Sequence, residues 1–141
     1  MPRIASKACL CLVLICGFVT IFAQADSLLK SVPAGSWGGK HIRLVVSNEG
    51  AMVEYDCAFG TIDEPLRVDK KNNFQARGTH VLERGGPYQV GEPPPKRHPA
   101  IYRGWTDGRQ MRLTVTLLET GEDVGTFVLG LDRPPRLDKC L

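Results

Sequence analysis

The sequence predicts an all-β fold: an antiparallel meander of seven or eight strands, forming a barrel or a barrel-like sandwich, with one disulfide. Three observations predict it. Fifteen glycines and ten prolines in 141 residues call for many turns and short strands rather than long helices. Beyond residue 36 the apolar positions alternate with period 2, and no segment carries a 3.6-residue period. Finally, only Cys57 and Cys140 remain once the first 25 residues are set aside.

Those 25 residues read as a cleaved signal peptide. Arg3 and Lys7 supply a positive start, Ala8 to Ala23 is almost continuously apolar, and Ala23-Gln24-Ala25 offers a small-x-small cleavage site. The apolar run is shorter than the roughly 20 residues a membrane span needs, so no stable membrane anchor is expected after cleavage. The protein is expected in an exported location, periplasmic or extracellular. Loss of Arg3 and Lys7 leaves 16 basic and 15 acidic residues, a net charge of +1. A nearly neutral domain has no electrostatic case for nucleic acid. In an oxidising compartment a lone pair of cysteines most often forms a disulfide, here Cys57–Cys140.

Residues 26–36 read as a flexible lead-in and 37–141 as a single β domain. Ile42, Leu44 and Val46 alternate with polar or exposed positions, as do Val53, Tyr55 and Cys57 after the Asn48-Glu49-Gly50 turn. Gly60 to Pro65 reads as a turn before a short strand at Leu66–Val68, and Lys70–Asn73 as another. Phe74 to Glu83 is a longer strand in which Gly78 marks a bulge. Without the bulge His80 shares the inner face with Phe74, Ala76 and Leu82; with it, His80 turns outward and Thr79 and Val81 face inward. Residues 84–98 (RGGPYQVGEPPPKRH) read as a Pro/Gly-rich loop, stiffened by the polyproline run Pro93–Pro95. Ile101–Thr106 and Gln110–Glu119 flank Asp107-Gly108, a strong hairpin signal. Val124–Leu131 follows, and a last short strand is expected to carry Leu137 and Cys140.

Gly35-Ser36-Trp37, standing just before the first strand, resembles the G-x-W that opens lipocalin and related calycin barrels. The resemblance implies a Trp packed across the closed end of the barrel, with Arg133 or Arg136 as a cationic lid. The string WGGKHIRLVV…VEYDC…GTIDEPL…GTH…GGP…GTFVL…KCL resembles small exported bacterial β proteins of unassigned function. That likeness implies an exported β domain and transfers no activity. Tyr55-x-Cys57 gives a looser similarity to small periplasmic lysozyme-inhibitor barrels.

No catalytic motif stands out. The serines of the chain beyond residue 25 lie outside any G-x-S-x-G turn, and the paired carboxylates Asp63-Glu64 and Glu122-Asp123 sit in turns where neighbours face water. His41, His80 and His98 have no metal-ligand spacing, so neither a metal nor a cofactor is expected. The leading expectation is therefore an exported, non-catalytic binding module for a small apolar ligand or an exported protein. His80, Glu83, Tyr88, His98, Tyr102 and Trp105 are its candidate contact residues, because aromatic, imidazole and charged groups cluster around the Pro-rich loop. One alternative is a small hydrolase or isomerase using His80 with Glu83 or His98; another is an inhibitor of a cell-wall hydrolase. Intact mass spectrometry of the exported protein, without reductant, should give the mass of residues 26–141, two hydrogens lighter than the reduced chain. A mass that includes residues 1–25 would contradict the signal-peptide reading.

Overall fold

The computed structural model describes residues 30–87 and 89–140. The signal segment 1–25, residues 26–29 of the lead-in, Tyr88 and Leu141 lie outside the described residues. The described residues form ten strands: β1 (Lys30–Ser31), β2 (Gly35–Gly39), β3 (Ile42–Val46), β4 (Ala51–Tyr55), β5 (Ala58–Ile62), β6 (Arg67–Val68), β7 (Asn73–Leu82), β8 (Arg97–Thr106), β9 (Gln110–Leu117) and β10 (Asp123–Leu131). Eight of them close into an antiparallel barrel in the order β10-β2-β3-β4-β5-β7-β8-β9. Cys57 and Cys140 are disulfide-bonded, with their Cα atoms 5.2 Å apart. Closure leaves this sheet without a free edge, the hazard that a small β protein must otherwise cover.

The alternation seen in the sequence becomes inside and outside. Ile42, Leu44 and Val46 on β3, and Ala51, Val53 and Tyr55 on β4, are buried, while the residues between them are exposed or half-buried. Trp37, Leu44, Val53, Tyr102, Leu113, Val115 and Leu129 fill the barrel, so its interior is a packed core rather than an open cup. The hydroxyl of Tyr102 in that core donates to the carbonyl of Thr79 (2.7 Å).

Several details differ from the sequence reading. Gly60–Ile62 belongs to strand β5 rather than to a turn, because Gly60 serves a close approach: a side chain there would strike the Thr79 carbonyl and the Tyr102 hydroxyl. Gly78 is likewise no bulge. It stays in register with Ile62 and Ala100, and a Cβ would collide with the Thr61 carbonyl. His80 therefore points inward with Phe74, Ala76 and Gly78, whereas Leu82, expected on the same face, is exposed at the strand's end. The register shift lies instead on β10, between Asp123 and Gly125.

From Lys30 onward, the lead-in is part of the fold. β1 pairs with β6, the Val32 amide donates to the Leu66 carbonyl (2.9 Å), and Val32, Leu66 and Val68 are buried at the lower end of the barrel. Trp37 is fully buried there, its indole N–H donating to the Pro33 carbonyl (3.1 Å). Neither Arg133 nor Arg136 stacks on it among the described residues. The Pro/Gly-rich loop ends at residue 96, since Arg97 and His98 already pair with Val81 and His80. Leu137–Cys140 forms no strand. That tail runs back up the barrel through a single parallel bridge, Lys40 to Arg136, and reaches the upper end at the disulfide.

Candidate functional site

The upper end of the barrel gathers the β2–β3, β4–β5, β7–β8 and β9–β10 connections and the C-terminal tail. Inward-facing side chains at the last positions of a barrel strand line its mouth, and here β4 ends in Tyr55 and β7 nearly ends in His80. Their rings meet edge to face at 5.2 Å, and the ring of Phe127 on β10 lies 5.5 Å from that of Tyr55. Tyr55 is 5% exposed and His80 3%. Among the described residues His80 Nδ1 has no hydrogen-bond partner, and the Tyr55 hydroxyl has only the neighbouring Tyr102 hydroxyl, off hydrogen-bond geometry. A buried polar atom without a partner is costly, and native structures retain few of them. Both residues line one shallow cleft of about 220 Å³, together with Leu82, Val124 and Phe127 and, at its margin, His41, Asp56 and Cys57.

Burial also sets the charge state of this cleft. It pushes the His80 imidazole below its ordinary range, and the neighbouring His98 adds to the effect. It pushes the Tyr55 hydroxyl up, again aided by a neighbour, Tyr102, which burial itself raises to about 12. The cleft therefore offers neutral hydrogen-bonding groups against apolar walls.

A second depression of about 390 Å³ lies across Leu82, lined by Glu83, Arg84, Glu92, Pro93, Pro95, Lys96 and His98. His98 sits directly opposite His80 in the β7–β8 register. Its Nδ1 donates to Glu119 Oε2 (2.9 Å), and Lys96 approaches the same oxygen at 3.4 Å. The hydrogen bond from His98, then the charge of Lys96, holds the Glu119 carboxyl below its usual range. Arg84 pairs with Glu92 within the loop.

The sequence-predicted residues thus divide. His80 and His98 come together at the mouth, with Tyr102 buried in the core beneath. Glu83 does not meet His80; its carboxylate faces Lys139 Nζ (3.3 Å), which also binds Glu54 (3.1 Å) and the Tyr55 carbonyl (3.0 Å). Trp105 lies near the opposite end, outward-facing and 41% exposed beside Arg112 and Val128. Tyr88 lies outside the described residues. Sequence reasoning passed over Tyr55 and Phe127, whose strand positions marked them only as core. It also set His41 aside for want of metal-ligand spacing and passed over Asp56 and Asp138; the three converge beside the cleft although 15 and 82 residues separate Asp56 from its two partners. A further concave surface of about 530 Å³ lies on the outer wall, where Val45, Met52 and Phe59 are framed by Arg43, Glu54, Glu83 and Arg97.

Comparison with family models, with curated proteins and with solved structures finds no match. The reading of the site accordingly rests on its chemistry.

His80 has a lowered pKa in the folded protein, so the unfolded chain binds the proton more readily. Its contribution to stability is complete above the unfolded imidazole value, about 6.5, and falls as the pH drops below it. Urea unfolding should show a lower midpoint at pH 5 than at pH 7. His80→Phe should flatten that pH dependence while leaving stability at pH 7 within about 1 kcal/mol, because it replaces an unpartnered polar ring with an apolar one of similar shape. An undiminished pH dependence in His80→Phe would remove His80 as its source.

Proposed function

We propose that the protein is an exported, non-catalytic binding module that takes an apolar group bearing a hydrogen-bonding head into the mouth of the barrel. The observation that carries this reading is the partnerless imidazole nitrogen of His80, buried with the Tyr55 hydroxyl just beneath the floor of one shallow cleft that both residues line. A ligand with one polar head would supply the missing partner while its apolar body covers Phe127, Val124 and Leu82. The packed interior favours shallow capture at the mouth over enclosure inside the barrel. Such a group could belong to a small molecule or project from an exported protein, with the proline-stiffened loop beside it. The disulfide supports an oxidising, exported setting.

The hydrolase or isomerase reading draws on the His80–His98 pair and the orientation of His98 by Glu119. It is weakened by Glu83, which is paired with Lys139, and by a cleft lining whose described residues include no serine or threonine and whose one cysteine is disulfide-bonded. The reading of an inhibitor of a cell-wall hydrolase would use the same mouth and loop as a contact surface.

A test uses small probes that combine a ring with one polar head, phenol and benzamide, titrated into isotopically labelled protein. Amide and ring shifts should move at Tyr55, His80, Leu82 and Phe127, and His80→Phe should weaken the response at least about tenfold, the loss expected when a hydrogen bond worth roughly 1.5 kcal/mol disappears. Shifts confined to the Met52–Phe59 outer wall, or an unchanged response in His80→Phe, would contradict the proposal.

A further inference from the structure

The outer wall of the barrel carries a chemistry that the mouth lacks. On β3, β4 and β5 the outward positions Val45, Met52 and Phe59 are apolar, where a sheet face turned to water ordinarily carries polar residues. Met52 is 69% exposed and Val45 37%. Val45 faces Met52 directly across the β3–β4 pair, and all three side chains line the concave surface of about 530 Å³. Contiguous exposed apolar surface of this kind marks ligand grooves. The apolar packing runs on toward β8, since Val81, outward-facing between Phe59 and Arg97 in the register, is 1% exposed. Arg97 ends the groove.

Charge is uneven along this groove. Glu54 is met by Lys139 Nζ (3.1 Å) and by Arg43 Nη1 (3.9 Å), and Glu83 by Lys139 (3.3 Å). Arg97 has no carboxylate partner among the described residues. The charge left over in the groove is therefore a guanidinium, whose planar N–H groups match the two oxygens of a carboxylate. A phosphate head would bring a second negative charge toward Glu54 and Glu83, so the singly charged carboxylate suits the site better.

We infer that this groove is a second binding site, which takes a free aliphatic carboxylate: the chain lies over Phe59, Met52 and Val45, and the head pairs with Arg97. In the barrel order β4 and β8 are three strand spacings apart, roughly 14 Å, so an extended chain fits where a compact ring would reach only one end. Met52, unbranched and polarizable, adapts to such a chain. Covering the apolar wall supplies affinity, and the pair with Arg97 selects the anionic head. This inference does not rest on the mouth reading, because the mouth presents neutral hydrogen-bonding groups and the wall a cation.

The test compares octanoate with octanol, a chain of the same length with an uncharged head. Each is titrated, below its micelle-forming or solubility limit, into isotopically labelled, disulfide-intact protein. Octanoate should shift resonances at Val45, Met52, Phe59 and Arg97, and octanol should bind the same wall more weakly. Arg97→Gln should weaken octanoate about fivefold, the upper worth of an ion pair open to solvent, and leave octanol unchanged. Met52→Gln should weaken both probes, since it removes apolar cover. Both residues are exposed, so both variants should fold, and spectra unchanged away from the wall would show it. Octanoate shifts absent or confined to the mouth, octanol bound as tightly as octanoate, or an Arg97→Gln variant that keeps octanoate affinity or loses both probes alike would overturn the inference.

Discussion

Closure of the sheet between β10 and β2 is the constraint on which the rest of the structure depends. The seam is short, with Leu129, Gly130 and Leu131 facing Gly39, Gly38 and Trp37. Its glycines let the backbone of residues 133–135 cross directly over Gly38, where any side chain would collide. The chain then bridges Arg136 to Lys40, bonds His41, and ends against β4 at the Cys57–Cys140 disulfide. The tail therefore straps the seam that closes the barrel. Every inward-facing residue at the mouth owes its position to that closure, because an open sheet would leave β10, and with it Phe127 and Val124, free of β4.

The two ends of the barrel solve different problems. At the lower end, Trp37, Val32, Leu66 and Val68 complete an apolar plug, and the indole N–H finds the Pro33 carbonyl. Stability is the business of that end. At the upper end, polar groups are carried into the core without full satisfaction. Such departures from good packing are retained where they serve a site. The contrast directs attention to the mouth more firmly than any single residue there.

Much of the fold was legible because alternation, turn chemistry and the cysteine pair are local or countable. Asp107 shows this well: its carboxylate accepts the amides of Arg109 and Gln110, both at 2.7 Å, to build the hairpin its sequence announces. What was illegible depends on contacts between distant segments. Gly60 and Gly78 look like interruptions in sequence, yet each marks a place where another backbone comes close. His98 looked like the end of a loop because prolines precede it, whereas its pairing with His80 is decided by the neighbouring strand. The site was only half visible for the same reason. His80 and His98 stand out by residue type, but Tyr55 reads as core, and the convergence of His41, Asp56 and Asp138 arises from the tail's return along the barrel.

The account's central claim is that the mouth presents polar atoms that the protein itself does not satisfy. A high-resolution crystal structure tests this most directly, through the density around His80 Nδ1 and Tyr55 Oη. The account predicts an ordered water or a bound molecule within about 3 Å of each atom. Side-chain or backbone groups of the protein satisfying both atoms would contradict it and would leave the mouth as ordinary core.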